Sequence, residues 1–193
     1  MYTMNPFPQG ATVSLATVFR GPVSLFGADE AAPAEAVILE SLERLGAGGL
    51  VVIDFDGVRV SSEAARQLLG RAIRRITSGE LSDRFVILWQ LGASSYNTQV
   101  MLEGEGLTTV ERLATSPGAR LLGRFEPAVR ETFDFVLSTE STTAGEVKEA
   151  LGLESTAAAT NRLTRLAKLA LVRRIAERAI AGGGREFVYS VVR

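Results

Sequence analysis

Residues 142–172 read TTAGEVKEALGLESTAAATNRLTRLAKLALV, and this stretch decides the fold of the C-terminal third. Thr143-Ala144-Gly145-Glu146 has the spacing of a capping box, in which the Thr hydroxyl and the Glu carboxylate each satisfy an end amide. The short helix that follows carries Val147, Ala150 and Leu151 on one face. Gly152 supplies a turn that tolerates positive φ. Ser155 is placed to cap a further helix, with Ala159, Leu163 and Leu166 as its buried stripe. Helix, tight glycine turn, helix is the helix-turn-helix layout.

Upstream, Glu126-Pro127 opens another helix, since proline suits the first helical position. Val129, Phe133, Val136 and Leu137 then recur at helical spacing. Downstream, Leu171 to Ile175 predicts a strand, Ala181 to Gly184 a turn, and Glu186 to Val192 an alternating second strand. Two strands joined by a glycine-rich tip, directly after a helix-turn-helix, make a wing. On TTAGEVKEALGL, STAAATNRLTRLAKLALV and GGGREFVYSVV, residues 126–193 resemble the winged helix-turn-helix family of bacterial regulators. Ala170 stands where that family often has glycine before the Leu-Val that begins the wing. The resemblance implies binding of double-stranded DNA, with transcription regulation as the role. Such readers act in pairs across two half-sites, so a homodimer is expected.

With the apolar stripe inward, the last helix presents Thr156, Ala157, Thr160, Asn161, Thr164 and Arg165, with Arg162 at the border. Small residues at the helix start let the backbone approach the major groove. Asn161 can pair bidentately with adenine, and Arg162 or Arg165 with guanine or phosphate. Arg185 at the wing tip can reach an adjacent phosphate or the minor groove. Arg173, Arg174 and Arg178 are candidates for backbone contacts only, because strand alternation turns some of them away.

Charge is distributed in the same sense. The chain of 193 residues has a net charge of −1, yet residues 1–154 hold 13 basic and 20 acidic residues and residues 155–193 hold 8 and 2. The two segments therefore carry −7 and +6. An acidic body with a basic end suits a segment that meets a polyanion. Cysteine and histidine are both absent. That excludes Cys/His zinc sites, disulfides, thiol nucleophiles and Ser-His or Cys-His catalysis. The start, MYTMNPFPQG, has neither a basic n-region nor an apolar core, and no apolar run approaches a membrane span. A cytoplasmic protein with no membrane contact is expected.

The first two thirds predict an α/β domain over residues 1–125. Residues 12–19 alternate like a strand, Val23 to Phe26 are read as its hairpin partner, and Pro33 starts a helix with Val37, Ile38, Leu42 and Leu45 on one face. Leu50 to Phe55 is a near-continuous apolar run, as a central strand requires. Ser61-Ser62 caps a helix with Ala65, Leu68, Leu69, Ala72, Ile73 and Ile76 as its stripe. Phe85 to Trp89 is a second buried strand, with Trp89 read as core, and a shorter helix runs from about Ser94 to Glu103. Thr109 to Ala114 and Ala119 to Leu122, around Ser116-Pro117-Gly118, make a closing hairpin. The fold class is an open α/β sheet followed by the winged helix.

The run VVIDFDGVRVSSEAARQLLG (residues 51–70) resembles the STAS-like domains, relatives of anti-sigma-factor antagonists. In those proteins a strand ending in Asp leads to a helix whose first Ser a partner kinase phosphorylates. The resemblance implies a sensing or dimerising domain, a possible protein partner, and Ser61 or Ser62 as the regulatory position. Read as residues, both serines are simple N-caps. Asp54 and Asp56, two apart, can hold Mg²⁺ or act as acid and base, but an Asp at a strand end commonly bonds loop amides instead. No third ligand and no phosphate loop accompanies them. Tyr96 and Asn97 are read as core and capping residues, with a small-molecule pocket as the other option. No catalytic residue, cofactor or metal is assigned. The leading expectation is a DNA-binding regulator, and the alternative is a signalling adaptor that binds a protein.

Overall fold

The structure is a computed structural model, and it describes residues 10–115, 118–179 and 185–192. The chain divides into two compact units, residues 1–124 and 125–193. The expected turn residues Ser116 and Pro117 and the glycine tip 181–184 lie outside the described residues.

The first unit is mixed α/β around a mostly parallel five-stranded sheet. Its elements are β1 (Gly10–Ser14), α1 (Leu15–Val18), β2 (Val23–Leu25), α2 (Ala28–Arg44), β3 (Leu50–Asp54), β4 (Val58–Val60), α3 (Ser62–Thr77), β5 (Phe85–Trp89), α4 (Ser95–Glu105), β6 (Thr108–Arg112) and β7 (Ala119–Gly123). The sheet order is β1-β3-β5-β6-β7, with β7 alone antiparallel to its neighbour. Strands that advance in one direction through right-handed crossovers put their helices in one layer. Accordingly α2 packs on α3 and α3 on α4. Four successive residues are buried in β3 (Leu50 to Ile53) and in β5 (Phe85 to Leu88), which accounts for their unbroken apolar sequence.

Three expectations are corrected at the N-terminal edge. The strand foreseen over 12–19 stops at Ser14, whose hydroxyl accepts from Thr17 N–H and starts the single turn α1. β2 does not form a hairpin with β1; it pairs in parallel with β4, while β1 pairs in parallel with β3. α2 begins at Ala28 and carries Pro33 inside it. The Glu30 carboxylate fixes that start by accepting from the N–H groups of Phe26 (2.6 Å) and Gly27 (3.3 Å).

The second unit contains α5 (Pro127–Thr139), α6 (Ala144–Ala150), α7 (Thr156–Lys168), β8 (Val172–Ala179) and β9 (Arg185–Val191). β8 and β9 form an antiparallel ribbon, with a register shift between Arg174 and Ala176. Thr142 adds a single bridge to β9: its N–H donates to Tyr189 O and Tyr189 N–H donates back, at 2.9 and 2.8 Å. The core includes Val129, Phe133, Val136, Val147, Ala159, Leu163, Leu166, Leu171 and Tyr189.

Ala170, between α7 and β8, has φ +56, in the left-handed region where a Cβ is strained. Ala170→Gly should therefore raise stability by about 0.5–1 kcal/mol, the strain relieved minus the extra freedom of glycine in the unfolded chain. Chemical denaturation of the two proteins checks this through a shift in midpoint at constant slope.

Candidate nucleic-acid interface

α6 and α7 are fixed by their own ends. Glu146 Oε2 accepts from Thr143 N–H at 2.8 Å and Thr143 Oγ1 accepts from Glu146 N–H at 3.4 Å. Gly152 (φ +61) turns the chain, and Ser155 Oγ caps α7 by accepting from Ala158 N–H at 3.1 Å. Ala159, Leu163 and Leu166 are completely buried, which sets the rotation of α7. The opposite face is solvent-exposed at Thr156, Ala157, Thr160, Asn161 and Arg165, while Arg162 and Thr164 are half-buried.

These residues are not equivalent. The Asn161 amide has no hydrogen-bond partner among the described residues, so all its donors and acceptors face solvent. The Thr160 hydroxyl donates to Thr156 O at 2.9 Å and is engaged within the helix. Arg162 turns away from the outer face and donates to Glu131 of α5 at 2.5 Å, clasping the two helices. Arg165 lies 4.0 Å from Glu126, with both side chains more than half exposed, and such a contact exchanges readily for another anion.

The β8–β9 ribbon projects beyond its buried base. Every residue from Arg173 to Ala179 is exposed. Arg174 stacks over Phe187 at 4.3 Å and lies 5.8 Å from the Tyr189 ring. Arg178 approaches Glu146 at 3.7 Å, and Arg185 pairs with Glu177 across the ribbon at 3.0 Å. The acidic partners Glu126, Glu131, Glu146 and Glu177 were not foreseen from the sequence. They also change the charge picture: residues 125–193 hold 10 basic and 9 acidic residues, so the second unit as a whole is only +1. The basic character belongs to α7 and the ribbon.

In the first unit the two serines are occupied. Ser61 Oγ donates to Phe26 O at 2.6 Å and accepts from Ala64 N–H at 3.1 Å as the N-cap; Ser62 is not a cap but the first residue of α3, and its Oγ donates to Asn97 O at 3.2 Å. Asp54 accepts from Asp56 N–H at 3.0 Å, the loop-amide role of an Asp at a strand end. No three His, Cys, Asp or Glu side chains among the described residues are grouped to hold a metal. Trp89 is half-buried rather than core, because it ends β5 opposite Arg112, whose guanidinium lies 5.0 Å from its ring. Tyr96 is 77% exposed and is neither core nor cap, whereas Asn97 donates to Val60 O at 2.9 Å.

No helix among the described residues is long and apolar enough to cross a membrane. No protein-family model matches the chain, and no curated protein or solved structure matches it significantly.

The Arg162–Glu131 clasp should be a modest structural contact. A double-mutant cycle with Arg162→Ala and Glu131→Ala is expected to give a coupling of about 0.5 kcal/mol, discounted for exposure. A coupling indistinguishable from zero would show that the pair does not join α5 to α7.

Proposed function

We propose that the second unit is a winged helix-turn-helix that binds double-stranded DNA, and that the protein is a transcription regulator acting as a homodimer. The reading is carried by one observation: Asn161 and Arg165 stand exposed on α7 directly opposite its buried stripe. Small residues at the helix start, Thr156 and Ala157, leave room for a groove wall. The bridge between Thr142 and Tyr189 and the exposed ribbon add a wing beside that helix. Arg165, Arg173 and Arg185 are the phosphate contacts in this reading, and Asn161 is the base reader. Arg162 is assigned to the α5 clasp instead of to a base.

In the same reading the first unit is a STAS-like domain that senses or dimerises. A protein partner for it is the second reading, favoured by the exposed rings of Phe26 (69%) and Tyr96 (77%), which belong to segments whose carbonyls hold Ser61 and Ser62. The two readings separate on DNA.

Fluorescence anisotropy of a random-sequence duplex with the full chain tests the proposal. Three neutralised phosphates correspond to an affinity loss of about 40-fold between about 50 and 200 mM salt. Asn161→Ala combined with Arg165→Ala should weaken binding to a selected site by roughly tenfold or more. No binding at low salt would overturn the DNA reading and leave the adaptor. Binding that is insensitive to the double substitution would overturn the assignment of α7 as the reader.

A further inference from the structure

A cleft of about 570 Å³ opens at the C-terminal ends of β3 and β5, between the turn after β3, the segment after β5, and the small β2–β4 pair. The cleft lies beyond the C-terminal ends of two neighbouring parallel strands, and its volume falls in the usual range for small-molecule sites. Beneath it Phe55, Val58 and Leu91 belong to the core, each at most 4% exposed, and give the cleft a fixed base. Its rim carries two opposite charges, Asp56 and Arg59, both exposed.

Those charges are three residues apart, yet they do not pair with each other. Neither the Asp56 carboxylate nor the Arg59 guanidinium has a partner among the described residues. Elsewhere in this unit Arg44, Arg66, Arg71, Arg74, Arg75 and Arg120 each lie within 4.0 Å of a carboxylate, whereas Arg20, Arg84 and Arg124, like Arg59, do not. The rim is held in place by the backbone. Gly57 adopts φ +71 and its carbonyl accepts from Val23 N–H at 3.2 Å. The buried Ser94 hydroxyl accepts from Val60 N–H and donates to Val58 O, each at 3.1 Å. On the opposite rim Gln90 is in the left-handed region at φ +56, a conformation a non-glycine residue keeps only where its surroundings impose it.

We propose that this cleft binds a small zwitterion of the α-amino-acid class. Its carboxylate would meet the planar fork of Arg59 and its ammonium the Asp56 carboxylate, with its side chain lying in the cleft. A simple anion would satisfy Arg59 but lie against Asp56, and a simple cation would do the reverse. A ligand carrying both charges satisfies both. The proposal concerns the first unit alone and stands or falls independently of DNA binding.

The test is a thermal-shift screen of the full chain with each common L-amino acid as probe at about 10 mM, followed by calorimetric titration of any that raises the midpoint. At least one amino acid should bind. Its deaminated acid and decarboxylated amine should each bind more weakly. Arg59→Ala and Asp56→Ala should each weaken it by about tenfold or more. Both positions are exposed, and circular dichroism of the variants checks their folding. The proposal is overturned if no amino acid shifts the midpoint, if the deaminated acid binds as well as the parent, or if either variant binds undiminished.

Discussion

Ala159, Leu163 and Leu166 lie on one side of α7, and none of them reaches solvent. Removing them from water is worth roughly 1.5–3 kcal/mol for each leucine, more than any polar contact on the outer face of this helix supplies. Their burial against α5, α6 and β8 fixes the helix about its own axis. What α7 shows to the outside follows: Asn161 and Arg165 outward, Arg162 at the edge and within reach of Glu131. The Thr143–Glu146 capping box and the Thr142–Tyr189 bridge hold the neighbouring elements to the same frame. The polar face is thus a consequence of packing, and its chemistry is what the core leaves over.

The first unit follows a comparable logic with a different result. Its parallel sheet buries β3 and β5 on successive residues, so those strands carry no polar group until they end. Polar side chains are displaced to the strand ends and the turns beyond them. Asp54 spends its carboxylate on the turn that follows, and Ser61 spends its hydroxyl on the start of α3. Asp56, Arg59 and Gln90 are left on the rim of a cleft with no structural task of that kind. A group that stabilises nothing in its own fold is available to a ligand.

Much of this was legible in the sequence because the signals are local. A capping box needs four residues, an apolar stripe about two turns, and a buried strand five apolar positions in a row. These gave α6 and α7 as separate helices, α3 with its Ser61 cap, β3, β5 and the antiparallel β6–β7 closure. Where the sequence misled, the deciding contact was distant or reached backwards. Val23 to Leu25 finds its partner at Val58 to Val60, far along the chain, so a neighbouring hairpin was the wrong inference. Pro33 resembled a helix start, but Glu30 reaches back to Phe26 and Gly27 and starts the helix earlier. Arg162 meets a glutamate 31 residues away, and no periodicity reveals that. The cleft draws on three separate segments, and only folding brings Arg59 and Gln90 onto one rim. Asn161 and Arg165, by contrast, were readable as outward residues because they are defined by the stripe they oppose.

Whether the outer face of α7 meets DNA is tested directly by amide chemical shifts of the ¹⁵N-labelled full chain titrated with a short duplex. The largest perturbations should fall on the amides of Thr156 to Arg165, with a second group on the ribbon around Arg173 and Arg185. Perturbations confined to residues 10–124, or none at all at saturating duplex, would contradict DNA contact through α7.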